Sequence, residues 1–192
     1  MRRKIFIGDV HGCFNELMEL LDKVGYNYSK DRLYFVGDLI NKGPYSKKVL
    51  EFVYNSKSKV VIGNHELGLI KLYESKGNWG GSSLDHVLLS LGKQAKFWVK
   101  WMRKLPSFIE GEDFIMVHAG LIPDKKPKEK DREILARIRT WDGRGHDLNN
   151  IKHPPWYNLY KGKKKVIFGH WAKKGLIREG NCIGLDSGCC YG

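Results

Sequence analysis

Short apolar runs alternate along the chain with stretches whose apolar residues recur at helical spacing. Residues 4–7, with two isoleucines and a phenylalanine, read as a buried strand, and Leu17, Leu20, Leu21 and Val24 predict a helix after it. Residues 32–37 predict a second strand, and Val49, Leu50 and Val53 a helix following Pro44. Residues 59–62 predict a third strand, and Leu67, Leu69, Ile70 and Leu72 the helix behind it. Residues 84–105 predict one or two helices with Trp98 and Trp101 in the core. Residues 107–109 and 114–117 predict a hairpin around Gly111, Asp131 predicts the cap of a helix running through Arg139, and residues 166–168 and 180–185 are the last predicted strands. Residues 77–81 are glycine-rich without phosphate-loop spacing and read as a connector; 123–130 and 143–155 read as loops. This alternation argues an α/β architecture.

The polar residues that end these runs carry the chemistry. Asp9 and His11 follow the first predicted strand, Asp38 the second, Asn64 the third, His118 the hairpin and His170 a late strand. In open α/β sheets, sites form where strand ends converge. Each residue alone has a plain explanation as a turn or a satisfied polar group. Together they supply three imidazoles, two carboxylates and an amide oxygen, enough for two metal ions if Asp38 is shared. Mixed oxygen and nitrogen donors suit Mn, Fe or Zn better than Ca. His86, His146 and His153 stand outside this series and read as structural or surface residues.

Composition adds bounds. The 192 residues fit one domain spanning 1–192, with a substantial core. No apolar run is long enough to cross a bilayer, and the start lacks a signal-peptide apolar region, so a cytoplasmic location and no membrane partner are the expectations. Cys13, Cys182, Cys189 and Cys190 lack zinc-ribbon spacing and are expected to be reduced thiols. The formal net charge of +13 points to polyanionic partners such as nucleotides, polyphosphate or RNA, although lysine runs are also ordinary solvated surface. No aromatic-interleaved nucleic-acid module sharpens this.

Five motifs make the pattern specific: Gly8-Asp9-Val10-His11-Gly12, Gly37-Asp38-Leu39-Ile40-Asn41-Lys42-Gly43-Pro44, Gly63-Asn64-His65-Glu66, Val117-His118-Ala119-Gly120 and Phe168-Gly169-His170-Trp171. In this set the chain resembles the calcineurin-like metallophosphoesterases, and within them the phosphoprotein phosphatase branch. Asn41, Pro44, Trp171 and the run Leu185 to Gly192 bring it nearest to symmetrical diadenosine tetraphosphatases. The resemblance implies a minimal version of that fold: two mixed β-sheets packed as a central sandwich flanked by helices. It implies Asp9 and His11 on a first metal, Asp38 bridging, and Asn64, His118 and His170 on a second. His65 would be the general acid at the leaving oxygen, and Lys42 a phosphate-gripping residue. Arg144 would be a second phosphate cation, with Arg139 as its rival in a loosely matching segment. The cofactors implied are two divalent ions, Mn first, with Fe, Zn, Ni and Co as alternatives.

The implied activity is a metal-dependent phosphohydrolase that cleaves diadenosine tetraphosphate or related nucleoside polyphosphates with metal-activated water. A Ser/Thr protein phosphatase, or a polyphosphate or capped-RNA phosphatase, is the alternative within enzymes. A polyanion-binding module on a decayed phosphatase fold is the alternative outside them; the complete ligand set argues against decay. Three departures stand out. Lys42 replaces the usual arginine, which exchanges a bidentate fork for a point charge. The chain is short, with little between His118 and His170 to build a nucleoside pocket. It also stops at Gly192, where the family usually continues into another strand. Oligomeric state is not legible.

Overall fold

The elements occur in the order β1 (Arg3–Ile7), α1 (Phe14–Lys23), β2 (Asp31–Phe35), α2 (Ser46–Asn55), β3 (Lys59–Val60), α3 (Asn64–Glu74), α4 (Asp85–Leu91), α5 (Ala95–Arg103), β4 (Phe108–Glu110), β5 (Phe114–Val117), α6 (Arg132–Leu135), β6 (Lys165–Phe168), β7 (Ile177–Glu179) and β8 (Cys182–Gly184). The computed structural model describes residues 2–75 and 81–192; apart from Gly81, the predicted connector lies outside the described residues.

Two sheets form. The first has the order β1-β2-β3 and is parallel throughout, with Phe6 opposite Tyr34 and Phe35 opposite Val60. The second has the order β4-β5-β6-β8-β7. Its central strands β5, β6 and β8 are parallel, and β4 and β7 are antiparallel edges, so this sheet is mixed. Strand periodicity explains the layering. Phe6, Tyr34 and Val36 point between the sheets onto Phe114, Met116 and Ile167, with ring centroids of Phe6 and Phe114 5.0 Å apart. Their neighbours Ile7, Leu33 and Phe35 face the opposite way, into the apolar layer beneath the helices. The outer face of the second sheet packs on Leu135, Ile138 and the fully buried Trp156, whose indole N–H donates to the Ala119 carbonyl at 3.1 Å.

The structure departs from the sequence pattern in four places. Leu17 and Leu21 bury the inner face of α1, but Leu20 is 46% exposed, and Val24, 38% exposed, caps the helix end. Trp98 is core, whereas Trp101 is only half-buried. Asp131 makes no side-chain cap bond, and α6 stops at Leu135 well before Arg139. The chain leaves the helix because the N–H groups of Arg139 and Thr140 both donate to the Leu148 carbonyl, at 2.8 and 3.0 Å. Finally, Gly180 has a φ of +53° and turns the chain between β7 and β8, so the predicted strand at 180–185 is the second arm of a hairpin. Among the described residues no helix is long and apolar enough to cross a membrane.

Candidate metal centre

Parallel strands place their C-terminal ends together, and each of these ends delivers a polar side chain. Asp9 lies two residues beyond β1, Asp38 three beyond β2, His118 immediately after β5 and His170 two beyond β6, while Asn64 opens α3. The loops interlock through the backbone: the N–H groups of Val10 and His11 donate to the Asp38 carbonyl at 3.1 and 2.8 Å. His11, Asp38, Asn41, Lys42 and His170 all have φ between 48° and 75°. Left-handed backbone costs a non-glycine residue ~1–2 kcal/mol, and such residues collect at functional sites.

Asp38 is the hub. Its Oδ1 accepts the His65 N–H at 2.9 Å. Its Oδ2 lies 3.8 Å from His11 Nε2, 3.8 Å from His65 Nε2 and 3.3 Å from His118 Nε2. Two groups of potential metal-holding atoms follow, His11 with Asp38 and His65, and Asp38 with His118 and His170; within each group the atoms lie within 4.8 Å of one another. Asp38 belongs to both. Asp9 Oδ2 lies 3.9 Å from His11 Nε2, and Asn64 Oδ1 is 3.0 Å from His118 Nε2, so both adjoin these groups. Asp9 in turn accepts the His170 N–H with both oxygens, at 3.2 and 3.1 Å. This approach requires glycine at 169, where a side chain would overlap the Asp9 carboxylate.

The ring orientations fit metal ligation. His11 Nδ1 lies 3.1 Å from the Ile40 carbonyl, and His118 Nδ1 lies 2.8 Å from that of Val36. A carbonyl partner takes the N–H of that nitrogen and leaves Nε2 as the donor atom turned into the site, as metal-bound imidazoles require. The electrostatics fit as well. Burial raises Asp9 well above the usual carboxylate range, opposed by His118 and reinforced by Asp38 and Asp186. Asp38 is held well below that range: burial raises it, but His118, His65 and His11 outweigh burial. Burial lowers His118, yet Asp38 and Asp9 prevail and push it up to about 10. Two fully buried carboxylates side by side call for positive charge.

A cleft of about 730 Å³ opens over these residues. Lys42 and Arg139 line it, and Arg144 does not. Arg144 is exposed on a loop whose backbone N–H groups, its own at 2.9 Å, converge on the Asp142 carboxylate. Arg139 is braced instead: Nη1 donates to Asn149 Oδ1 and Nη2 to the His170 carbonyl, both at 3.1 Å, and its buried Nε has no partner. Lys42 Nζ donates to Tyr191 Oη at 2.8 Å and to His11 Nε2 at 3.1 Å. His65 shares the cleft; Asn41 Nδ2 lies 2.8 Å from its Nδ1, and burial pushes it down to about 4.

Three residues to which sequence reasoning assigned no role also build the site. Glu66 is fully buried and accepts the N–H groups of Asp38, Leu39 and Gly63 at 2.8, 2.8 and 2.9 Å, which clamps the Asp38 turn onto α3. The signal was present: a Gly-x-x-Glu at a strand-to-helix junction is the pattern of a helix cap. Asn41 fixes His65, and the buried Asp186 accepts the Gly188 N–H at 3.0 Å and lines the cleft. Nothing in residue spacing reveals these two contacts.

Residues 3–178 match the calcineurin-like phosphoesterase family. A symmetrical bis(5'-nucleosyl)-tetraphosphatase of Buchnera aphidicola subsp. Baizongia pistaciae is 34% identical, over 97% of this chain and 91% of its own length. That alignment runs over 253 residues, so the relative carries segments that this chain lacks. The crystal structure of a candidate diadenosine tetraphosphatase superposes with a TM-score of 0.85 at 31% identity, covering 100% of this chain and 86% of its own. A protein serine/threonine phosphatase from Saccharomyces cerevisiae shares the fold, with a TM-score of 0.64 at 19% identity over 95% of this chain and 66% of its own. Strand-end donor groups that share one carboxylate, on this fold and with these relatives, make the chain a member of the calcineurin-like phosphoesterase family, a dinuclear-metal phosphohydrolase homologous to the symmetrical bis(5'-nucleosyl)-tetraphosphatases.

Proposed function

We propose that the chain hydrolyses dinucleoside polyphosphates, with diadenosine tetraphosphate cut symmetrically into two diphosphates. The observation that carries this is the pairing of the Asp38-centred donor groups with Lys42 and Arg139 in one cleft. Asp9, His11 and Asp38 would hold one ion, and Asp38, Asn64, His118 and His170 the other; mixed oxygen and nitrogen donors favour Mn. When bound, such a pair supplies Lewis acidity, which acidifies water and neutralises phosphoryl charge.

The remaining work falls to side chains. Lys42 and Arg139 hold phosphoryl oxygens and orient the phosphorus for in-line attack, and their charge answers the negative charge that builds on the transferring group. The Asn41 amide donates to His65 Nδ1, an orientation fixed because Asn41 Oδ1 already accepts the Lys42 N–H at 2.8 Å. That turns Nε2, on the side of Asp38, toward the place of the leaving oxygen it would serve. A net charge of +13 favours a multivalent anion, and a chain lacking segments of its relatives relies mainly on phosphate contacts. A phosphopeptide would need a groove for its flanking residues.

The test is a rate comparison with Mn²⁺ on diadenosine tetraphosphate, inorganic polyphosphate, capped RNA and a phosphoserine peptide, with product analysis. Two molecules of ADP from the dinucleotide, at the highest kcat/KM, are expected. Far faster cleavage of the phosphopeptide would overturn the proposal in favour of a protein phosphatase.

A further inference from the structure

Most of the cleft lining is ionic or polar, but its rim holds large apolar side chains at Ile151, Trp171 and Tyr191. Their environments differ. Trp171 is half-buried, with Tyr157 5.7 Å away between ring centroids and the Lys174 ammonium 5.9 Å from its ring. Ile151 is 95% exposed but offers no ring face. Tyr191 is 69% exposed, and Lys42 Nζ lies 4.7 Å from its ring centroid.

Tyr191 is nevertheless positioned. It closes a 3-10 turn, Cys189–Tyr191, and its N–H donates to the Gly188 carbonyl at 2.8 Å. Gly188 itself takes a φ of +77° and donates its N–H to the buried Asp186 at 3.0 Å. The hydroxyl accepts from Lys42 Nζ at 2.8 Å. The phenol is thus tied at both ends, to the cleft floor through Asp186 and to a phosphate-gripping cation through its oxygen, while most of its surface stays open.

We infer that Tyr191 is the stacking platform of a nucleobase subsite, taking the base of the nucleotide whose phosphate Lys42 holds. The inference rests on the proposed function for the identity of the Lys42 ligand. The chemistry is general: a ring fixed beside a phosphate cation can hold a base while the ribose spans the gap. Every base has a π-face, so stacking gives affinity with little base preference. The adjacent ammonium polarises the ring and withdraws a side chain that would otherwise lose rotamer freedom on binding. This gives a cleft with few nucleoside contacts one way to prefer a nucleotide over bare polyphosphate.

The test measures binding by calorimetry, so it does not depend on turnover. ADP and inorganic pyrophosphate present the same two phosphates with and without a base. They are titrated into the Mn²⁺-loaded wild type, Tyr191→Phe and Tyr191→Ala. Tyr191→Ala is expected to lower the ADP affinity relative to pyrophosphate on the order of 10-fold, because base–aromatic stacking is lost. Tyr191→Phe keeps the ring and is expected to preserve that ratio, whatever its loss of the Lys42 bond does to both ligands. Equal losses for ADP and pyrophosphate in Tyr191→Ala would overturn the subsite and leave Tyr191 acting only through Lys42. An unchanged ADP affinity would overturn it too. Failure of the wild type to cleave diadenosine tetraphosphate, together with the ADP-selective loss in Tyr191→Ala, would keep the subsite and refute the proposed reaction.

Discussion

The sequence puts Arg144 forward as the second phosphate cation with Arg139 as its rival, and the geometry separates them. Arg139 spends Nη1 on Asn149 and Nη2 on the His170 carbonyl, both at 3.1 Å, which leaves a buried Nε without a partner in a guanidinium that lines the cleft. Each Nη keeps a second N–H, and in a cation that lines the cleft these are the donors a phosphoryl oxygen would meet. A hydrogen bond to a charged group is worth about 1.5–3 kcal/mol, so Arg139→Ala should lower kcat/KM on diadenosine tetraphosphate roughly 10- to 150-fold. Arg139→Lys keeps the charge but cannot hold two anchors and a phosphate at once, so it should recover only part of that loss. Arg144→Ala should stay within about twofold of wild type, as expected for a surface substitution. Because Arg139 also supports the His170 carbonyl, the assay is paired with Mn²⁺ titration by calorimetry, and the variants are compared at saturating metal. The assignment fails if Arg139→Ala keeps its kcat/KM at saturating metal, or if Arg144→Ala loses as much.

Other perturbations address the remaining roles. Asp38→Asn should hold fewer than two Mn²⁺ per chain by elemental analysis and lose activity, since both donor groups include Asp38; full metal content with full activity would refute the sharing. Asn41→Asp places a carboxylate 2.8 Å from His65 Nδ1, favours the imidazolium and should raise His65 from about 4 by roughly 1–3 units. The sign is that His65 then keeps its proton to higher pH, so the pH–rate profile on a poor leaving group should shift upward; an identical profile would count against the contact. Lys42→Ala should cost roughly 10-fold or more in kcat/KM while Lys42→Arg retains or improves it, because arginine grips a phosphate with two donors; an Ala variant as fast as wild type would return Lys42 to the surface charge.

The centre was legible in the sequence because strand ends are legible. Short apolar runs locate β1, β2, β5 and β6, and the polar residue that breaks each run must leave the sheet at its C-terminal edge. The structure brings Asp9, His11, Asp38, Asn64, His118 and His170 to that edge together. What was not legible depends on long-range backbone demands. The helix expected through Arg139 has acceptable local propensity, but the Leu148 carbonyl claims the N–H groups of Arg139 and Thr140 and turns the chain toward the cleft. The same departure puts Arg139 in the site and leaves Arg144 on the Asp142 loop. Tyr191 and Lys42 are 149 residues apart, and no local pattern joins them.

The site is a burden to the fold that carries it, and Asp9 lets that be measured. Its carboxyl is fully buried, and burial, with Asp38 and Asp186 nearby, raises it well above the usual range despite His118. A carboxyl whose folded value lies above its unfolded one stabilises the fold most when protonated. That contribution is complete below the unfolded value and disappears as pH rises through the folded one. Above the unfolded value, in a chelator, Asp9 is therefore a net cost to the fold. Asp9→Asn removes the charge, while the amide oxygen can still accept the His170 N–H that Asp9 holds at 3.1 Å. In chelator the variant should melt above wild type, and the gap should close as pH falls and Asp9 takes up its proton. With Mn²⁺ the order should reverse if Asp9 is the ligand proposed, since a bound ion stabilises by about 2.7 kcal/mol at 100 times its Kd and the variant would hold it less well. Scanning calorimetry with and without Mn²⁺ at two pH values reads all of this. A chelated Asp9→Asn that melts below wild type near neutral pH would show that Asp9 supports the fold by itself, and the electrostatic account of the centre would fall.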